Sequence, residues 1–374
     1  MKYSRNRVKK AGKELAENKN VSESMDILSF WRAKHASPLE RAYKLIEKEV
    51  SNISSSSDKR FAPVIAKRLK RTNSILKKLT RTDLNTDLHT MNDIGGCRVI
   101  LSSRKKVDKL CKVLEKKDIF KIRRDYITTP KKSGYRSIHL IGKFNAGDRD
   151  LPIELQVRTK TQHAWATALE IVDIFTRQSI KTNSGEKDWV DFFSHVSKLF
   201  EILEKNPLLL GESLENIAAQ FALDMNNSDL EYSFFKTYEY IKNLNIINRF
   251  EAFSSSLNVT ANHIEDKKIE GYVLIKITIM PKNISLEEAF FPIDKIEEAT
   301  DKFIELEKET LSENDIIVAL VSTNAIGGIE EAYPNYFADA EVFLSYLKII
   351  TFVYKHVNPG YIRLFNRFRF NIGR

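Results

Sequence analysis

Apolar and polar residues alternate through Ile153-Glu154-Leu155-Gln156-Val157-Arg158-Thr159. This is the period of a strand with two unlike faces. Glu154, Gln156 and Arg158 share one face; Ile153, Leu155 and Val157 share the other. A carboxylate, an amide and a guanidinium on one rigid face suit a metal-bound polyphosphate, but an ordinary half-buried strand has the same period. Cys97 to Leu101, Phe120 to Arg123 and Ser137 to Phe144 also read as strands. Helical spacing marks 4–19, a helix opening at Pro38, 64–79, 105–117 and 160–177. Strands interleaved with helices predict an α/β mixed sheet with flanking helices. Ser51 to Asp58 reads as a polar loop.

Beyond Ser184-Gly185 the pattern changes. Helices are expected at 189–203, 214–223 and 230–243. Gly271 to Met280 is a strong strand, with Ala289 to Phe291 pairing beside it. A helix at 296–310, a strand at 316–322, a turn at Gly327-Gly328 and a closing helix at 338–354 follow. This predicts an α+β module over about 270–335, embraced by helices. The expected domains are therefore 1–184 and 185–374.

Composition narrows the class. The 374 residues are 42% hydrophobic and 29% charged, which fits a globular chain of two or three domains. No early segment reads as a secretory signal, and the apolar run 349–354 is too short to span a bilayer. Two cysteines, Cys97 and Cys111, point to a reducing cytosol and to core filling rather than a disulfide or zinc framework. The expected location is cytoplasmic.

The net charge of +10 hides a division. Residues 1–200 hold 43 Lys/Arg against 23 Asp/Glu, and residues 201–374 hold 17 against 27. A basic half suits a polyanionic partner, and an acidic half could cover it; two independently solvated surfaces would read the same way. The tail residues Arg363, Phe365, Arg367, Phe368, Arg369 and Phe370 interleave basic and aromatic side chains, as an RNA contact or an amphipathic packing segment would. No GxxxxGK[ST] phosphate loop is present.

Four motifs follow in order: Lys67-Arg68-Leu69-Lys70-Arg71, Asn92 to Ile100, Asp125 to His139, and Ile153 to Trp165. Together they closely resemble the synthetase domain of the RelA/SpoT family of nucleotide pyrophosphokinases, over roughly residues 30–180. The resemblance implies an ATP-dependent enzyme that moves pyrophosphate to a ribose 3′-hydroxyl with magnesium. The segment Thr161 to Glu170 and the long C-terminal half are more similar to the toxic branch, above all to the fused toxin–antitoxin proteins called CapRel. That likeness implies the 3′ end of tRNA as acceptor, a C-terminal antitoxin-like region and release by a phage protein. The hydrolase domain's paired His-Asp arrangement is missing, so self-reversal is not expected. Glu170 departs from the small alarmone synthetases, which puts guanine-nucleotide specificity in doubt.

The resemblance also implies roles. Asp93 and Glu154 become the magnesium ligands, in keeping with an ion that takes one or two carboxylates plus water and phosphate oxygens. Glu154 is also a candidate base for the attacking hydroxyl. Arg68, Lys70, Arg98 and Lys131 would hold ATP phosphates. Tyr135 would stack the acceptor base, with His139, Gln156 and Arg158 beside it. Lys9, Lys10, Lys13, Lys77 and Lys78 are the candidate RNA contacts. Each has a bland counterpart: a solvated cationic face, a carboxylate in an ordinary ion pair, a packing tyrosine. Two other functions compete, a (p)ppGpp synthetase acting on GDP or GTP and a non-catalytic RNA-binding or phage-sensing protein.

Overall fold

The computed structural model describes residues 3–54, 62–70, 72–81, 86–117, 119–176, 187–205, 216, 228–267, 270–280, 284–310, 316–322 and 336–356. Arg71, the expected helix 214–223, the Gly327-Gly328 turn and the tail from 357 lie outside these residues. The chain divides into two compact units, 1–130 with 136–160, and 131–135 with 161–374.

The first unit opens with three helices, α1 (Arg5–Ala16), α2 (Val21–Lys34) and α3 (Ala36–Ile53). Ser4 caps α1 by accepting from the Arg7 amide at 3.2 Å. Glu14 ties α1 to α2, accepting from Ser24 at 2.6 Å and from Asn20 at 3.1 Å, with Arg7 at 2.8 Å. The Ser24, Arg7 and Asn20 donors hold its carboxyl down to about 2. The sequence pattern did not reveal α2, whose buried Ile27, Leu28 and Trp31 are few in fourteen residues.

A five-stranded mixed sheet follows. Its strands are β1 (Val64–Leu69), β2 (Gly95–Leu101), β3 (Phe120–Asp125), β4 (Ile138–Asn145) and β5 (Asp150–Thr159), in the order β1-β2-β5-β4-β3. The expected helix over 64–79 is corrected here: Val64–Leu69 is a strand, and only α4 (Thr72–Leu79) is helical. Antiparallel pairing of Val64 with Ile100 through Leu69 with Gly95 outweighs the helical look of the cationic run. β2 and β5 run parallel, with Gly96 opposite Glu154 and Arg98 opposite Gln156.

Helix α3 and helix α5 (Arg104–Lys116) cover one face of this sheet. Leu39, Ala42, Ile46 and Val50 of α3 and Val107, Leu110, Cys111 and Leu114 of α5 pack against Cys97, Val99, Leu140, Leu155 and Val157. A Cβ at Gly95 would come within 2.5 Å of Ile153 Cδ1, so the tip of that side chain would have to shift to admit one. Both cysteines lie in this core, and burial pushes each thiol up to about 12.

The second unit contains α6 (Lys160–Thr176), α7 (Lys187–Lys205), α8 (Ser228–Asn243), α9 (Ile246–Lys267), α10 (Ile296–Glu309) and α11 (Tyr336–His356). Its antiparallel sheet has β6 (Gly271–Ile279) between β7 (Ile284–Pro292) and β8 (Ile316–Ser322). Trp189, Phe192, Phe193, Phe200, Phe250 and Phe343 centre its core, joined by Val273, Ile275 and Ile277 from β6. Helix α6 and the 131–135 loop, both within the expected 1–184 domain, belong to this unit by packing.

Candidate active site

Strand register builds the candidate site on the sheet face opposite α3 and α5. Cross-strand partners share a face. Arg98 on β2 lies beside Gln156 on β5, His139 on β4 is opposite Gln156, and Arg68 on β1 is opposite Gly96, which is opposite Glu154. Arg68, Arg98, His139, Glu154 and Gln156 therefore line one side of four strands. Arg158 continues the β5 row but is buried at the strand's end.

Glu154 is held from two sides. His139 Nδ1 donates to its Oε1 at 3.1 Å, and Gln156 Nε2 donates to its Oε2 at 2.9 Å. Tyr126 meets the His139 ring edge-on at 5.3 Å and fixes its plane. Burial pushes the Glu154 carboxyl up, yet the His139 hydrogen bond and charge carry it net below its ordinary value, against the opposing charge of Asp93.

Asp93 stands in the turn before β2. Lys70 Nζ reaches its Oδ2 at 3.0 Å, and Lys78 Nζ lies 2.9 Å from both carboxylate oxygens. Burial raises this carboxyl as well, and the two ammonium groups bring it below the usual range. The Lys70 backbone is pinned: its amide donates to Ile94 O at 2.7 Å, and its carbonyl accepts from Arg32 Nε at 2.8 Å. Lys78, expected at RNA, is thus a neighbour of the carboxylate; the cation was visible in the sequence, but its partner was not.

Asp93 and Glu154 are hard carboxylates of the kind magnesium takes, and the charge of Asp93 raises the proton affinity of Glu154. No group of three or more His, Cys, Asp or Glu able to hold a metal occurs among the described residues.

Lys131 and Tyr135 belong to the second unit, where the Lys131 ammonium stands 5.1 Å from the Tyr135 ring centre. Tyr135 is half-buried, 6.3 Å from Trp165, whose Nε1 donates to Phe193 O at 3.0 Å. Gly134, at φ +88°, lets the loop turn; its carbonyl accepts from Ser197 Oγ at 2.6 Å. Lys9 pairs with Asp87 at 3.5 Å and Lys10 with Glu14 at 3.7 Å, while Lys13 and Lys77 are exposed.

Residues 67–171 match the family model described as the region found in RelA / SpoT proteins. The matched stretch runs from within β1 to within α6. GTP pyrophosphokinase YjbM of Bacillus subtilis (strain 168) is 33% identical over 107 residues, 27% of this chain and 51% of that protein. Probable GTP diphosphokinase RSH3, chloroplastic, of Arabidopsis thaliana is 32% identical over 150 residues, 38% of this chain and 19% of that protein. The chain thus spans about half the length of the first of these curated relatives, and less of the second. Among solved structures, small alarmone synthetase 1 from Bacillus subtilis bound to its product pppGpp aligns over 49% of this chain and 96% of its own. Its identity is 21% and its TM-score 0.40.

Proposed function

We propose that the chain is an ATP-dependent pyrophosphokinase whose acceptor is a ribose 3′-hydroxyl. The observation that carries this reading is a set of two carboxylates, Asp93 held by two lysines and Glu154 held by a histidine and an amide, with the charge of Asp93 felt at Glu154. The RelA/SpoT match over the same residues supports it.

Pyrophosphate transfer needs charge neutralisation and alignment more than a protein nucleophile. Lys70 and Lys78, with Arg68 and Arg98 on the adjoining strands, supply cations for the donor's phosphates. Asp93 and Glu154 would hold magnesium, which when bound neutralises charge developing on the phosphate oxygens. The 3′-oxygen bonds to the β-phosphorus as the bond from that phosphorus to the α,β-bridging oxygen breaks. AMP leaves with the electron pair. The hydroxyl proton passes to Glu154, which its depressed pKa keeps ionised at neutral pH, while His139 and Gln156 fix the carboxylate's orientation. Tyr135 and Lys131 keep their roles, at the acceptor base and the donor phosphates, on the sequence motif alone.

The finer reading takes the 3′ CCA end of tRNA as acceptor, in a cytoplasmic toxin of the CapRel type. Residues 185–374 would serve as its antitoxin-like restraint, and a phage protein as its trigger. The basic first 200 residues and acidic remainder support it. Among the described residues no helix is long and apolar enough to cross a membrane. The second reading, a (p)ppGpp synthetase, is favoured by the names of the curated relatives. ATP labelled at the γ-phosphate, offered with bulk tRNA and separately with GDP, tests both. Label on tRNA alone supports the first, label on GDP alone supports the second, and label on neither, from the full chain and from residues 1–184 alike, defeats the enzymatic reading.

A further inference from the structure

Helix α5 carries a second feature that the candidate active site does not use. Lys105, Lys109, Lys112 and Lys116 are all exposed, and their spacing of four, three and four residues sets them along one side of the helix. The opposite side, Val107, Leu110, Cys111 and Leu114, is buried in the first unit's core. Residues 104–117 hold seven basic side chains and two acidic ones. The flanking cations are engaged: Arg104 pairs with Asp108 at 2.8 Å, Lys106 donates to Ser54 Oγ at 3.1 Å, and Lys117 pairs with Glu49 at 2.9 Å. None of the four ridge lysines has an ion-pair or hydrogen-bond partner among the described residues. Like charges three and four residues apart repel along a helix, so the ridge is a local cost that a polyanion would relieve.

We propose that this ridge binds the phosphate backbone of a polynucleotide strand. From Lys105 to Lys116 the eleven helical steps span about 16 Å at ~1.5 Å per residue, close to five stacked nucleotides at ~3.4 Å each. An anionic membrane is the poorer fit. A helix that lies on a bilayer inserts its apolar face, and the apolar face of α5 is occupied by Cys97, Val99 and Leu155 of the sheet. The same packing puts the ridge behind the sheet, away from Arg98, His139, Glu154 and Gln156. The surface therefore anchors a strand without touching the reacting groups, and it stands whether or not the acceptor proves to be tRNA.

The test uses the full chain and a fluorescent single strand of about 20 nucleotides, in RNA and DNA versions, with anisotropy followed across salt. Lys105→Gln, Lys109→Gln, Lys112→Gln and Lys116→Gln together should weaken binding at least about tenfold at low salt. The slope of log affinity against log salt should fall by about 3, at ~0.7 per phosphate released. The four corresponding Lys→Arg changes should keep both. RNA and DNA arms that respond alike place recognition in the phosphates; an RNA-only response adds the 2′-hydroxyl to what is recognised. Should the quadruple variant melt early, each single Lys→Gln should still lower the slope by ~0.7. An unchanged slope in the Gln variants overturns the proposal. So does equal loss in the Arg variant, or lysine-dependent binding of phosphatidylserine vesicles without binding of either strand.

Discussion

His139 and Glu154 meet on the first sheet at 3.1 Å, and His263 and Glu288 meet in the second unit at 2.7 Å. The pairs have the same chemistry and different company. Glu154 also accepts from Gln156 and feels the charge of Asp93, which holds two lysines. Glu288 also accepts from the Thr260 hydroxyl, and its histidine side chain is 44% exposed. The second arrangement staples α9 to the edge strand β7 and has the makings of a structural tie. A histidine–carboxylate pair becomes a candidate site when a second carboxylate acts on it and cations share its sheet face, as Asp93 and Arg98 do here. Four of the expectations below would break or sharpen that contrast; the one at Gly134 instead tests the loop that carries Tyr135.

The largest effect should come from Glu154→Gln, which removes the proton acceptor and is expected to lower transfer from labelled ATP by ~10²–10⁴-fold. Glu288→Gln should leave that rate unchanged; equal losses would erase the distinction. Asp93→Asn should cost about 10²–10³-fold through lost charge organisation around the phosphates, read in the same assay. Gly134→Ala should destabilise the chain by about 1–3 kcal/mol in urea unfolding. Its φ is positive, and the new Cβ would come within 2.7 Å of Ser197 Cβ and 2.8 Å of Phe193 O. Thr260→Val should cost about 1–2 kcal/mol with no effect on transfer, because one buried hydroxyl donor to Glu288 is lost.

The smallest effect concerns acid. Asp93 and Glu154 have folded-state values below their ordinary 3.8 and 4.5. The unfolded chain therefore takes up protons first as pH falls. The stability these groups supply is complete above about pH 4.5 and is lost as pH drops through the depressed values. Urea midpoints at about pH 6 and pH 4 should differ more for the wild type than for Asp93→Asn.

Much of the first sheet was legible. The alternation at 153–159 fixed which residues of β5 share a face, and register then added Arg98 and His139 to that face. What failed was local inference against tertiary pairing. Lys67 and Arg68 sit in a run that looks helical, yet Lys67 reaches Glu40 and stands over the Tyr43 ring only because β1 joins the sheet edge. Lys78 read as a surface cation because nothing within a turn of it announces Asp93, fifteen residues on. The 131–135 loop read as part of the synthetase and lies within the matched stretch; what the sequence did not announce is that its Gly134 and Tyr135 pack on Ser197 and Trp165. Helix α9 was missed because Ser254, Ser255, Ser256, Asn258 and Thr260 dilute its apolar positions.

The burial of both cysteines has a consequence for how the protein ages. Peroxide attacks thiolates, and thiols shifted to about 12 inside the core are neither ionised nor reachable. Sulfenate formation and mixed-disulfide capping are closed to this chain. Among the described residues the vulnerable sulfur is Met280, 41% exposed just past β6, where a sulfoxide would roughen the surface and leave the carboxylate pair untouched.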